Sequence, residues 1–397
     1  MVNLEFPHEV NVPLDVKKSL QDLFDDKKYG FLRILTDKFP WEELSSYHAL
    51  LKNYDQVAII GIGGSSQGSK SIINALEPGL IDQKFVYFDR IDEDYLARQI
   101  SRVKNKDKTA WFVNSKSGST TETLFILNSL LEKTEGLLFK NKKNVFVVTE
   151  NEDSVLGEWA ERENLEVIRA NGDIEGRFSV FSSYGLMPIT FLYQDFALLK
   201  KQMTKFSENF QVVEQLSAFY LDSFRQQKWI SNIWLYTERL REFGFWLEQI
   251  WAESLGKYKD ESHRVSTPFC CLGTNDQHSL LQQMEEGFPD KSQLFIQIEP
   301  MHKMSYNTNW ISERASYLNS YQLDSIMNKY CKATYESLQG NPRALLTLKG
   351  LSLESVLALH MVFALTIGTI GKNLDVEIYG QPGVEKSKQL FRHLLKE

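Results

Sequence analysis

Apolar and polar positions recur along this chain with a long period at first and in short alternating blocks later. Between residues 14 and 53, apolar side chains return every three or four positions in LDVKKSLQDLF, GFLRILTDKF and WEELSSYHALL, which predicts a helical lead-in over 1–54. From Asp55 the blocks shorten. QVAIIGIGG reads as a buried strand entering a glycine turn, with GSKSIINAL as the following helix. KFVYFD with DEDYLARQISRV, TAWFVNS with TTETLFILNSLLEKT, and KNVFVVTE with EDSVLGEWAERE repeat the pair. Short apolar strands alternating with helices predict a parallel sheet covered on both faces. A second alternation starts near Ser231, with strands in NIWLYT, PFCCLG, LFIQIE and ALLTLKG and helices around 238–254 and 276–287. No Pro/Gly/Ser-rich linker separates the two, and the helix-rich span 178–226 bridges them. The expectation is an α/β protein with two doubly wound parallel-sheet domains, 55–205 and 206–380. The lead-in precedes them, and a C-terminal helix over 381–397, beginning at Pro382, contributes to the site.

Composition narrows this picture. The 397 residues are 42 % hydrophobic and 12 % aromatic, enough to fill two cores. A net charge of −7 argues against a nucleic-acid or anionic-membrane partner, so any anion site must be local. The apolar run from Ser355 to Gly371 carries no Asp, Glu, Lys or Arg, but it falls short of the about 20 residues that span a bilayer and reads as a buried core helix. Three cysteines, Cys270, Cys271 and Cys331, make a poor disulfide framework and suit a reducing compartment. MVNLEFPHEV lacks the basic and apolar regions of a signal peptide, so a cytoplasmic protein is expected.

Two loops carry candidate chemistry. GIGGSSQGSKS (61–71) nearly matches two nucleotide motifs and fails both by one residue. A dinucleotide fingerprint needs Gly where Ser66 stands, and a nucleotide-hydrolase phosphate loop needs Lys directly after Gly68, where Ser69 intervenes. What remains is the physics those motifs share: small residues after a strand let backbone N–H groups at a helix N-terminus face an anion. SKSGSTTET (115–123) repeats the arrangement with six hydroxyls and Lys116. Capping and tight turns alone are the alternative explanation of either loop. In open α/β sheets ligands bind beyond the carboxyl ends of strands, where both loops fall. A phosphate on a hydroxyl-rich carrier such as a sugar suits these donors.

GIGGSS, SKSGSTTET, GRFSV, ESLGK, GTNDQHSLLQ and QPGVEKSK occur in the order of the motifs of the glucose-6-phosphate isomerase family, which this chain resembles from about 57 to 393. The resemblance implies the sugar isomerase (SIS) fold. It implies an aldose–ketose isomerase interconverting glucose 6-phosphate and fructose 6-phosphate through an enediolate, in glycolysis and gluconeogenesis. By that resemblance Ser115, Lys116, Ser117 and Thr120 hold the phosphate and Ser65 assists on the sugar side. Arg177 stabilises the enediolate, Glu253 is the base, and His278 with Lys388 opens the ring. Gln249 and Gln381 line the site, and Glu122 orients the catalytic His. It further implies a homodimer with a composite active site. This sequence departs from the usual family pattern at Ser119, at Glu175 before Gly176, and in SSQGSK; none of these removes a reacting group.

The same residues have readings of their own. Gln249 and Glu253 are four apart on one helix face, and Gly256 ends that helix. The negative end of the helix dipole there resists ionisation of Glu253, as a proton-shuttling base requires. Gln381 and Lys388 share a face two turns apart. His278 follows polar turn residues at the end of a strand. The remaining histidines, His8, His48, His263, His302, His360 and His393, show no paired metal spacing, and His360 reads as a core residue. Isomerisation needs a base, an acid–base pair for ring opening and a cation near the oxyanion, so neither metal nor organic cofactor is required. Within the class, an enzyme that also accepts mannose 6-phosphate fits these residues. A non-catalytic sugar-phosphate sensor would need the phosphate loop but neither Glu253 nor His278, and the acidic lead-in offers no DNA-binding segment.

Overall fold

Each alternation of strand and helix closes into its own five-stranded sheet. The computed structural model describes residues 2–258, 260, 263–301, 310–319 and 321–395; His302 lies outside them. In chain order the strands are β1 (Val2–Glu5), β2 (Gln56–Ile60), β3 (Phe85–Phe88), β4 (Thr109–Asn114) and β5 (Val145–Thr149), then β6 (Glu166–Arg169), β7 (Ile230–Leu235), β8 (Thr267–Leu272), β9 (Lys291–Ile298) and β10 (Arg343–Leu348). The helices begin with α1 (Leu14–Asp25), α2 (Trp41–Leu51), α3 (Gln67–Leu76), α4 (Glu93–Arg102), α5 (Thr121–Lys133), α6 (Val155–Glu163) and α7 (Ser183–Leu186). They continue with α8 (Ala197–Thr204), α9 (Phe210–Arg225), α10 (Arg241–Leu255), α11 (Leu281–Glu286), α12 (Leu323–Ser337), α13 (Leu353–Asn373) and α14 (Pro382–Leu394). Two units result: Asp26–Ser207, and Met1–Asp25 together with Glu208–Glu397.

In the 26–207 unit the sheet order is β3-β2-β4-β5-β6, with all pairings parallel. The chain therefore leaves β2 in one direction and returns to its other side at β4, so β2 and β4 flank the topological switch point. Every residue of β2, β3, β4 and β5 is buried, which is why these strands read as unbroken apolar runs. On one face Tyr95 and Leu96 of α4, Ile126 and Leu130 of α5, and Leu156 and Trp159 of α6 pack on Val86, Trp111, Val113 and Val147. On the other, Phe85 meets Phe191 edge-to-face at 5.5 Å, and a Cβ at Gly68 of α3 would come within 2.9 Å of Val180. β6 escaped the sequence reading: it is a four-residue edge strand with charged, exposed ends, and edge strands lack the apolar run of central ones.

In the other unit the order is β1-β10-β9-β7-β8. β7 to β10 are parallel, and β1 joins the edge antiparallel, Val2 opposite Leu348. Trp234, Cys271, Phe295 and Leu345 pack with Met284 of α11 and Cys331, Tyr335 and Leu338 of the α12 side. α10 packs on α13, where the ring of Phe243 lies 5.6 Å from that of Phe363. α13 is apolar and long enough to cross a membrane by length and composition, yet 94 % of its apolar window is buried, as expected of a core helix. All three cysteines are free.

The lead-in differs from expectation. It is divided between the units instead of forming a separate 1–54 segment. VNLEF alternates apolar and polar, the period of a half-covered strand, and its backbone completes the edge beside β10. α1 lies so close to α13 that a Cβ at Gly368 would fall 2.5 Å from Leu23, and Asn373 Nδ2 donates to Ser19 Oγ at 3.2 Å. Residues after Asp25 go with the other sheet: the Phe31 and Phe178 rings stack at 4.4 Å, and Arg33 Nη2 donates to Asp173 Oδ1 at 2.9 Å.

Candidate active site

The two loops singled out in the sequence leave the carboxyl ends of β2 and β4, at the switch point of the 26–207 sheet. Ser115 is buried: its N–H donates to Val148 O at 3.0 Å, and its hydroxyl lies 2.7 Å from that of Thr120. Gly118 turns the loop with φ +65°, and a Cβ there would collide with Ser154 Oγ at 1.8 Å. Ser117 is exposed, its Oγ accepting from Ser119 N at 3.3 Å. Lys116 Nζ donates to Gly172 O at 2.8 Å and lies 3.6 Å from Glu150. Glu122 is exposed in the first turn of α5.

The first loop is built by close approach. A Cβ on Gly64 would come within 2.2 Å of the Gly176 carbonyl, and Ser179 Oγ donates to Gly64 O at 2.6 Å. Glycine at 64 is thus what lets the GRFSV segment lie against the loop, with the Arg177 side chain 2 % exposed. Asn114 Nδ2 donates to Ser65 O at 3.1 Å, tying the two loops together. Ser65, Ser115 and Lys116 line a recess that opens to solvent, with Asn114 and Tyr184 also in its wall.

The caps of four successive helices separate anion binding from simple capping. After β3 and β5 the helices are capped by side chains: Asp92 accepts from Tyr95 N at 2.7 Å, and Ser154 from Gly157 N at 3.3 Å. After β2 and β4 the N-cap residues Ser66 and Thr120 make no such bond. Thr120 turns its hydroxyl to Ser115 instead. Neither hydroxyl therefore occupies the N-terminus of its helix, and the positive end of the α5 dipole follows directly on Ser115 and Lys116 of the recess wall.

Lys70, the residue that made GSKS look like a nucleotide loop, is engaged elsewhere. Its Nζ pairs with Asp89 Oδ2 at 2.8 Å, both side chains under a tenth exposed, and Tyr95 OH donates to Asp89 Oδ1 at 2.5 Å. That pair anchors α3 to the end of β3.

In the unit holding Glu208–Glu397, α10 buries Phe243, Trp246, Leu247, Ile250 and Trp251. This leaves Gln249 and Glu253 half-buried on another stripe, where Gln249 Nε2 donates to Glu253 Oε1 at 2.9 Å. Gly256 caps the helix through its N–H to Ala252 O at 2.9 Å. Lys257, a residue to which sequence reasoning assigned no role, donates through Nζ to Glu377 O and, at 2.8 Å, to Tyr379 O. It thereby pins the segment leading to Gln381 beside the end of α10; the signal for it was its place in ESLGK. His278 stands exposed on the turn after β8, which Asp276 holds by accepting from Leu272 N at 2.6 Å. Lys388 is exposed on α14 and pairs with Glu385 at 2.8 Å, its helix burying no residue. The structure joins Gln249 to Glu253 and leaves His278 and Lys388 presented to solvent.

A glucose-6-phosphate isomerase of Methanocaldococcus jannaschii is 28 % identical over 389 residues, covering 96 % of this chain and 92 % of that one. A glucose-6-phosphate isomerase of Thermus thermophilus is 30 % identical over 377 residues, 92 % of this chain and 90 % of the relative. Among solved structures, a hypothetical protein from Thermus thermophilus superposes with a TM-score of 0.85 at 28 % identity, over 96 % of this chain and 95 % of that one. The description Phosphoglucose isomerase matches residues 43–397, a span that includes the hydroxyl loop, Arg177, Glu253, His278 and Lys388, and the chain belongs to the phosphoglucose isomerase family.

Proposed function

We propose that this chain is a glucose-6-phosphate isomerase, converting glucose 6-phosphate to fructose 6-phosphate and back in glycolysis and gluconeogenesis. The observation that carries the reading is the pair of uncapped helix N-termini, after β2 and β4, beside a recess lined by Ser65, Ser115 and Lys116. The sugar's phosphate takes N–H groups of the α5 first turn, the hydroxyls of Ser115, Ser117 and Thr120, and the charge of Lys116. Glu253, held by Gln249, removes a proton from carbon 2 of the open-chain aldose and returns it to carbon 1. Arg177 stabilises the enediolate oxygen formed between the two transfers. His278 and Lys388 exchange the proton between ring oxygen and anomeric hydroxyl that opening requires, and Gln381 and Glu122 position the sugar and the imidazole. No step calls for a metal or an organic cofactor.

The test is solvent exchange of the carbon-2 proton of glucose 6-phosphate, with turnover of fructose 6-phosphate followed separately in a coupled assay. Glu253→Gln stops both exchange and turnover, whereas His278→Ala retains most of its activity on an open-chain aldose phosphate too short to cyclise. Exchange at the normal rate in Glu253→Gln would place the base elsewhere.

Assembly as a homodimer with a composite site belongs to the same proposal. What supports it is α14, which buries nothing and exposes Val384, Leu390, Phe391 and Leu394 along an amphipathic helix. Mixing inactive Glu253→Gln and His278→Ala chains then restores activity in part; a fully active monomer would refute the dimer. The proposed location is the cytoplasm.

A further inference from the structure

Two polar atoms in the wall of the phosphate recess have no partner among the described residues. Tyr184 is 9 % exposed, and its hydroxyl is buried with no partner in good hydrogen-bonding geometry, the nearby Ser182 hydroxyl being engaged with Ser179 O at 2.6 Å and Gly185 N at 3.0 Å. Asn114 is equally buried: its Nδ2 is committed to Ser65 O at 3.1 Å, leaving Oδ1 unpaired. The amide orientation follows from chemistry, since Ser65 O can only accept and only Nδ2 can donate. Both residues line the same recess as Ser65, Ser115 and Lys116. Native interiors rarely leave such atoms unpaired, because removing a hydroxyl or amide oxygen from water without a replacement bond costs free energy. A Phe at position 184 would fill the same space without that cost. In the recess a bound ligand can supply the bond that the tyrosine lacks.

The available bonds define that ligand. Asn114 Oδ1 accepts only, so it takes a hydrogen from a hydroxyl. The Tyr184 hydroxyl sits in a wall whose lysine offers charge to an anion, so its useful role is donor. We propose that Tyr184 is a further substrate-binding residue, donating its hydroxyl hydrogen to a phosphate oxygen of the bound sugar phosphate while Asn114 Oδ1 accepts from a hydroxyl of the same ligand. This rests on the reading of loop 115–120 as the phosphate cradle and adds a donor from outside the family's motifs. Burial, with the carboxylates of Glu150, Asp173 and Glu175 adding to it, pushes the Tyr184 hydroxyl up to about 12, so it keeps its proton at any working pH. Interaction with the neighbouring Ser182 hydroxyl opposes this in part. Lys116, 3.6 Å from Glu150, offsets the charge of that carboxylate.

Tyr184→Phe removes one oxygen and keeps the ring. The expected result is a KM for fructose 6-phosphate raised about tenfold with kcat within about twofold, the size of a lost hydrogen bond to a charged group. The melting temperature of the free variant does not fall, because the hydroxyl has no partner to lose, while the rise in melting temperature given by inorganic phosphate shrinks. Lys116→Met serves as the control for the cradle. If Lys116→Met raises KM and Tyr184→Phe changes neither KM nor the phosphate-induced shift, the inference fails and the cradle stands. If both variants bind like wild type, the cradle fails and the inference with it. A fall in the melting temperature of free Tyr184→Phe would show a structural hydroxyl and overturn the proposal.

Discussion

His360 offers a quantitative test of the core that supports α10. It lies on α13 with no exposed surface, against the rings of Trp246 and Phe243 at 4.5 and 5.0 Å between centroids, with Nδ1 2.7 Å from Val356 O. That carbonyl accepts, so Nδ1 carries a proton, and burial keeps the ring neutral by disfavouring a second one. Burial lowers its pKa from 6.5 to about 4, only partly opposed by the bond to Val356. Between these values the unfolded chain binds a proton that the folded chain does not. The corresponding stability is fully present above pH 6.5 and is lost as pH falls toward 4. With about 1.4 kcal/mol per pKa unit, the loss is about 2 kcal/mol between pH 7 and 5 and about 3 kcal/mol by pH 4. Replacing His360 by Leu removes the titrating group and leaves the backbone acceptor in its helix. The cavity or strain so introduced shifts stability equally at every pH. Urea unfolding of both proteins from pH 7.5 to 4.5 should therefore show wild type losing about 2 kcal/mol more than the variant between pH 7 and 5. Parallel pH profiles for the two proteins would mean that His360 is protonated in the folded state, contrary to its burial.

The remaining predictions concern the site and its supports. Ser117→Ala with Thr120→Ala should raise KM more than it lowers kcat, since the phosphate does not change during the reaction; unchanged KM with collapsed kcat would remove the loop from this role. Lys70→Met leaves Asp89 charged beneath its helix and should destabilise the 26–207 unit by about 3–5 kcal/mol in thermal or urea unfolding. Adding Asp89→Asn should recover part of that loss, and its failure to do so would show that the pair is not the source. Prolonged chelation should leave isomerase activity intact in the coupled assay, and loss reversed by a divalent cation would point to metal-dependent chemistry.

Much of this molecule is written in local pattern. The central strands β2 to β5 are buried on both faces, so each had to be a continuous apolar run, and such runs followed by helices specify a parallel sheet. One side-chain pairing was legible for a related reason: Gln249 stands four residues before Glu253, hence on one helix face, and the two side chains meet there. Tertiary structure decided what depends on partners distant in sequence. β1 is a strand because β10 offers it an edge, and β6 because β5 does; neither carries a run strong enough to announce itself. Whether Lys70 faces a ligand or a carboxylate depended on where Asp89 came to rest. The openness of the α3 and α5 N-termini depended on Ser66 and Thr120 turning away from positions where their residue types usually cap. Nothing in the sequence marked Tyr184, whose place in the recess wall with a buried hydroxyl arises only in the fold. Periodicity and motif spacing are properties of neighbours along the chain, which a sequence states directly. Pairing, close approach and an unsatisfied polar atom are properties of neighbours in space, which exist only once the chain has folded.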